Sequence, residues 1–257
     1  MKNFYVNQSS LTGAIASSPS KSHTLRAILF ASLAYGQSII THYLQSPDAV
    51  AMIDACRQLG AKITVSEDRL IIDGVAGKPQ LPDDIINAGN SGQVLRFVLA
   101  ITALLSGYVV MTGDHSIRHN RPMQPLINGL TQLGAFCVST KEDGHAPIIL
   151  KGPIKPGSAK ITGEDSQPVS ALLMATAFLE GESEVYVENA GEKPWIDLTL
   201  RWLDKLGIAY KNHNYKHYII HGHAKYDGFN YAVPGDFSSI LFPVAAGLIT
   251  QSEVAIH

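Results

Sequence analysis

The chain has 257 residues, of which 46% are hydrophobic and only 16% charged, with 22 Gly and 13 Pro. That length suits one large domain or two modest ones, and that composition excludes a disordered, collagen-like or coiled-coil protein. Twenty Lys and Arg against 22 Asp and Glu leave a formal charge of −2, which excludes a generally basic nucleic-acid binder but not a local anion site.

The start, MKNFYVNQSS, is polar and lacks the apolar stretch of a secretory signal, which predicts a cytoplasmic location. A helix SHTLRAILFASLAYG follows from Ser22, then a β-branched strand SIITHYL, then MIDACRQLGAKITVSEDRLIIDG. The last segment reads as amphipathic helix, LG turn, strand, polar hairpin, apolar strand and Gly. The same order recurs twice. A Ser-opening helix SGQVLRFVLAITALLSG from Ser91 precedes YVVMTG and PLINGLTQLGAFCVSTKEDGHAPIILKG. Another, SQPVSALLMATAFLEG from Ser166, precedes EVYVENAG and TLRWLDKLGIAYKNHNYKHYIIHG. Gly60, Gly134 and Gly207 of the LG turns are 74 and 73 residues apart, so the unit is strand, helix, strand, helix, hairpin, three times over. Small polar residues at the helix starts predict N-caps, and the glycines that end the Ser-opening helices predict C-caps.

The longest uncharged apolar stretch, Phe97 to Gly113, is short for a membrane span and contains Ser106, Gly107 and Thr112; it reads as a buried helix running into a strand. A fourth copy begins at SSILFPVAAGLITQSEVAIH, with Ser239 placed 73 residues after Ser166, and stops. Its helix has not become polar as a solubilising cap should, so an interrupted repeat is expected. Cys56 and Cys137 form no CxxC and have no nearby His pair, which predicts buried thiols rather than a disulfide or zinc site.

The three Ser-opening helices begin with groups suited to anions. They are Ser-Pro-Ser-Lys-Ser from Ser18 to Ser22 with Arg26 one turn in, Gly-Asn-Ser-Gly-Gln from Gly89 to Gln93 with Arg96 one turn in, and Asp-Ser-Gln from Asp165 to Gln167. Free N–H groups and the positive end of the helix dipole favour negative charge there. Should pseudo-threefold packing direct these ends to one surface, they converge on an anionic ligand. Singly, Arg26 and Arg96 read as intrahelical or surface ion pairs. Arg118 and Arg121, in GDHSIRHNRPMQPL, add guanidinium groups in a loop, so a small dianionic guest is expected.

Taken together and in order, PSKSHTLRA, GNSGQVLRF, RPMQPLINGLTQLGA, DSQPVSALLMA, KPWIDLTL and PGDFSS resemble the enolpyruvyl transferase family, in its branch acting on shikimate 3-phosphate. The resemblance runs through essentially the whole chain but covers only about the first three-fifths of the family's usual length. It implies an α/β fold of two similar domains, each an inside-out α/β barrel of three pseudo-threefold βαβαββ repeats, with substrates in the cleft between. Residues 17–232 would form one complete domain, and residues 1–16 and 233–257 the edges of a second, truncated one. The implied activity moves the enolpyruvyl group of phosphoenolpyruvate to the 5-hydroxyl of shikimate 3-phosphate, in aromatic amino acid biosynthesis. It needs no metal or organic cofactor, no nucleic acid and no membrane.

By the same resemblance Lys21 touches both substrates, and Ser22 and Arg26 hold the shikimate moiety. Gly92 lies beside phosphoenolpyruvate and Arg121 grips it, while Ser166 and Gln167 hold shikimate 3-phosphate, Gln167 also reaching phosphoenolpyruvate. Departures stand beside these matches. Pro19 occupies a usual Gly, Asp165 the first Ser of Ser-Ser-Gln, Glu192 the Ser before Lys-Pro-Tyr, and Trp195 the Tyr, where it still offers an aromatic face. The Asp165 and Glu192 positions normally bind the substrate phosphate. The expectation is that these carboxylates are compensated, Glu192 by Lys193 or by turning outward, and Asp165 by Lys193 or by capping its helix. The family's acid/base carboxylates and lysine lie in its C-terminal portion, so no catalytic residue is expected among these 257 and the missing portion is an expected partner. Two alternatives remain at this point. One is a noncatalytic anion-binding remnant; the other is a relative acting on UDP-N-acetylglucosamine, whose reactive loop cysteine has no counterpart near GDHSIRHNRPM.

Overall fold

The computed structural model describes residue 5 and residues 7–257; residues 1–4 and 6 of the edge expected at 1–16 lie outside the described residues. Strand β1 (Gly13–Ile15) comes first. The first repeat contains α1 (Lys21–Leu33), β2 (Gln37–Thr41), α2 (Pro47–Gln58), β3 (Lys62–Val65) and β4 (Arg69–Asp73). The second contains β5 (Ile86–Asn87), α3 (Gly92–Thr102), β6 (Tyr108–Thr112), a short α4 (His115–Asn120), α5 (Gln124–Gln132), β7 (Phe136–Ser139) and β8 (Ile148–Lys151). The third contains β9 (Ser158–Thr162), α6 (Ser166–Thr176), β10 (Ser183–Glu188), α7 (Lys193–Lys205), β11 (Tyr210–His213) and β12 (His217–Ile220). Then come β13 (Asn230–Ala232), α8 (Phe237–Ile249) and β14 (Val254–Ile256).

Three four-stranded sheets share one plan, with orders β13-β2-β4-β3, β5-β6-β8-β7 and β9-β10-β12-β11. In each, the leading strand is parallel to the second, and the closing hairpin is antiparallel to it. The first repeat takes its leading strand from the far end of the chain: Asn230 pairs with Ile39 and Ala232 with Thr41. A parallel partner needs a crossover connection, and here the crossover is nearly the whole three-repeat array.

Beyond their first turns α1, α3 and α6 are buried on every side, the environment of helices whose apolar residues run all round. They pack on one another in the order α1, α3, α6, with α2, α5 and α7 against them. Leu25, Phe30, Phe97, Leu99, Leu172 and Met174 are among their fully buried side chains. The LG glycines Gly60, Gly134 and Gly207 have φ of +100°, +100° and +68°. Each follows a helix whose end is closed by paired bonds, Gly60 N–H to the Arg57 carbonyl and Ala61 N–H to Cys56 in the first case, the arrangement that a left-handed residue makes possible.

The Ser-opening helices end differently from expectation. Their C-caps are Ala34, Ala103 and Ala177 rather than glycine. The orphan carbonyls are satisfied from a distance, by the segment after each hairpin: Ala76 N–H to Ala34, Ile154 N–H to Ala103, and Ala224 N–H to Ala177. Tertiary contact thus replaces the local cap. Cys56 and Cys137 are both free and buried, and burial pushes both thiols up to about 12.

At the edge, β1 and β14 form a parallel two-stranded sheet of their own. α8 packs on β14, while Phe237, Phe242 and Ile249 on it are exposed.

Candidate functional site

Five residues of the three central helices escape burial, Lys21, His23, Gly92, Gln93 and Gln167. All sit in first turns, so the buried bundle opens only at its N-terminal end. Side chains tie the three ends together there. Gln93 Nε2 donates to Ser22 Oγ at 3.1 Å, and Arg96 Nη1 donates to Gln167 Oε1 at 2.8 Å. Ser91 and Asp165 cap α3 and α6 with side-chain oxygens, whereas Ser20, the cap of α1, makes no such bond.

Behind this surface lie two buried guanidinium groups. Arg26 is 1% exposed. Its Nε donates to Thr199 Oγ1 at 3.0 Å, Nη1 to the Ser22 carbonyl at 3.2 Å and Nη2 to the Trp195 carbonyl at 3.3 Å. The Thr199 hydroxyl is steadied by Ser170, and the Phe97 ring faces the guanidinium at 4.9 Å. All these partners are neutral, and burial pushes Arg26 down to about 9. A buried cation held by dipoles alone is costly until an anion approaches. Arg96 differs in having a counter-ion, Asp165 Oδ2 at 3.0 Å. Burial lowers its pKa, Asp165 and Glu192 oppose that, and Arg121 reinforces it. Neither arginine forms the intrahelical or surface ion pair that each suggests alone.

The departures from the family pattern resolve separately. Asp165 Oδ1 accepts the Gln167 N–H at 2.8 Å, so this carboxylate does cap its helix. Glu192 is neither turned outward nor neutralised by Lys193, which corrects the expectation. Its Oε2 accepts from the Ser166 hydroxyl at 2.9 Å and the Ser166 N–H at 3.3 Å. Lys193 Nζ instead stands 5.3 Å from the centre of the Tyr215 ring. The reason is local: the free N–H groups and dipole at the start of α6 attract a carboxylate more effectively than a solvated lysine does. Glu192 reaches this place from a left-handed backbone, φ +43° and ψ +38°. The donors of Ser166 are therefore occupied.

Lys21 is exposed and lies 3.8 Å from Asp48. Trp195 is 39% exposed beside the carbonyl that receives Arg26. Arg118 sits in α4 rather than in a loop, and its guanidinium is spent on the Gly113 carbonyl. Arg121, the C-cap of α4, is exposed. Its Cδ lies 3.9 Å from where a Cβ on Gly92 would stand, so Arg121 borders the same opening. Arg121→Ala is expected to weaken anion binding about tenfold or more while moving the melting temperature little, since an exposed guanidinium contributes little to folding. Titration calorimetry and thermal melting check it; lost stability with intact affinity would mark Arg121 as structural.

Sequence reasoning gave Gln93 no role of its own and missed Thr199 and Ser170. Gln93 ends the motif Gly-Asn-Ser-Gly-Gln, and its place one residue beyond Gly92 was a usable signal. Thr199 and Ser170 carried none, because both lie inside helices.

A family model for EPSP synthase (3-phosphoshikimate 1-carboxyvinyltransferase) matches residues 6–257. The chain belongs to the EPSP synthase family. The 3-phosphoshikimate 1-carboxyvinyltransferase of Acetivibrio thermocellus is 43% identical over 251 residues, covering 98% of this chain and 59% of that protein. That of Chlamydia caviae is 43% identical over 253 residues, covering 98% and 56%. The solved EPSP synthase of Acinetobacter baumannii superposes with a TM-score of 0.83 at 29% identity, over 94% of this chain and 54% of that one. The chain thus spans between half and three-fifths of the length of these relatives. Its fold is the α/β enolpyruvyl transferase fold of EPSP synthase. Among the described residues, no helix is long and apolar enough to cross a membrane, and no group of three or more His, Cys, Asp or Glu is placed to hold a metal ion.

Proposed function

We propose that the opening at the three helix ends binds shikimate 3-phosphate and phosphoenolpyruvate, and that this chain provides half of the cleft for enolpyruvyl transfer to the 5-hydroxyl. The observation that carries this reading is Arg26, a fully buried guanidinium with neutral partners, set one turn inside an opening bordered by Lys21 and Arg121. An incoming carboxylate or phosphate offsets the cost of that charge. Ser22 and Arg26 would hold the shikimate moiety, Gly92 and Arg121 would face phosphoenolpyruvate, and Lys21 and Gln167 would meet both. Trp195 would offer its exposed face to the ring. Calorimetric titration of shikimate 3-phosphate into the 257-residue chain is expected to show saturable binding that weakens with salt. Affinity no greater than for unphosphorylated shikimate would reject the reading.

Addition of the 5-hydroxyl to phosphoenolpyruvate takes a proton from oxygen and delivers one to carbon, and loss of phosphate removes one again. Such steps need acid and base groups within hydrogen-bond reach. The carboxylates at this opening are already engaged, Asp48 with Lys21, Asp165 with Arg96 and Glu192 with Ser166. We infer that the groups moving these protons belong to the part of the family's length that this chain does not span. A phosphate-release assay on the chain alone is expected to stay at background; turnover tracking the purified chain would overturn that inference.

A further inference from the structure

We propose that Arg96 is a positioning residue: held by Asp165, it fixes the side-chain amide of Gln167 with its oxygen inward, and so commits the amide N–H groups to the anion cleft. The proposal rests on the reading of the cleft given above.

An amide carries an acceptor at one end and donors at the other, whereas a guanidinium carries only donors. Arg96 Nη1 lies 2.8 Å from Gln167 Oε1. Only one of the two amide orientations makes that bond; the other sets an NH2 group against a cation. The orientation that remains leaves donors, not an acceptor, for an incoming anion. Arg96 is itself held firmly. It is 2% exposed, and Nη2 donates to the Pro122 carbonyl at 2.9 Å and pairs with Asp165 Oδ2 at 3.0 Å. The other oxygen of Asp165 takes the backbone N–H of Gln167. One carboxylate therefore holds Gln167 twice, at its backbone directly and at its amide through Arg96. A serine at position 165 would cap the helix as well, but it would take from the buried guanidinium the one carboxylate paired with it, at 3.0 Å. Gly92 leaves the room this requires: a Cβ there would stand 2.9 Å from Arg96 Nη1 and 3.4 Å from Gln167 Oε1.

The test uses the 257-residue chain with inorganic phosphate and shikimate 3-phosphate as separate probes. Arg96→Met combined with Asp165→Asn removes one charge of each sign, so the net charge of the cluster is unchanged. Gln167→Ala is then measured in the native and the paired backgrounds. It is expected to cost about tenfold in phosphate affinity in the first and almost nothing in the second, where the amide already turns freely. An equal cost in both overturns the proposal. Should the paired variant not fold, the native protein decides: the nitrogen-15 signal of the Gln167 side-chain amide is expected to shift on phosphate binding, and an unmoved signal at saturation overturns it. Coupling seen with phosphate, while shikimate 3-phosphate binds no tighter than phosphate, would sink the substrate reading and keep the positioning role. Tight shikimate 3-phosphate binding with equal Gln167→Ala costs would do the reverse. Binding of neither probe overturns both.

Discussion

Replacing Glu192 with serine is expected to raise the affinity for shikimate 3-phosphate by about tenfold or more at low salt, or about 1.4 kcal/mol. The carboxylate lies on the hydroxyl and N–H of Ser166, the donors that the family resemblance assigns to the substrate. Two like unit charges at 4 Å and an effective dielectric of 20 repel by about 4 kcal/mol. Glu192 is exposed, so solvent screens much of this, and the expected gain is smaller. Serine removes the charge and frees both donors. The gain should shrink as salt rises. Stability should move the other way, falling by about 1 kcal/mol as the start of α6 loses one of its two carboxylate acceptors, Asp165 remaining as the cap. Calorimetry at two salt concentrations, with thermal melting alongside, separates the effects. Unchanged affinity would mean that the substrate reaches the helix end without contesting the place of Glu192.

Gly152→Ala is expected to cost about 3 kcal/mol of folding stability, lowering the melting temperature by about 10 °C for a domain of this size. A Cβ at Gly152 would stand 2.2 Å from the Ala103 carbonyl oxygen and 2.6 Å from that of Leu105. Those are backbone atoms at the end of a central helix, and they cannot step aside as a flexible side chain does. Gly74 and Gly222 occupy the same place in the other repeats, where an added Cβ would stand 2.3 Å from the Ala34 oxygen and 2.4 Å from the Leu179 oxygen. Gly157→Ala is the control, since its nearest neighbour would be 3.8 Å away. Equal, small losses from both substitutions would refute the claim that hairpin glycines seal the helix ends.

The repeat itself was legible because its signals are local. Each LG turn needs a left-handed residue, and glycine supplies it at a fixed distance from the helix it closes. The apolar run from Phe97 likewise announced the burial of α3, and motifs with Ser, Lys, Arg and Gln at the starts of α1, α3 and α6 marked the end at which the three helices open. What the residues alone left undecided involves partners far apart in the chain. The leading strand of the first sheet is β13, which follows the third repeat and returns to pair with β2; no sequence periodicity marks a partner placed after the last repeat. The Ser-opening helices lack glycine caps because backbone N–H groups from beyond each hairpin reach their carbonyls. Arg96 found its counter-ion at the N-cap of another central helix, and Glu192 turned from the neighbouring Lys193 to the start of α6. In each case local chemistry specified which groups needed partners, and only the packing of the three helices decided which partners came within reach, since hydrogen bonds and ion pairs act over a few ångströms whatever the separation along the chain.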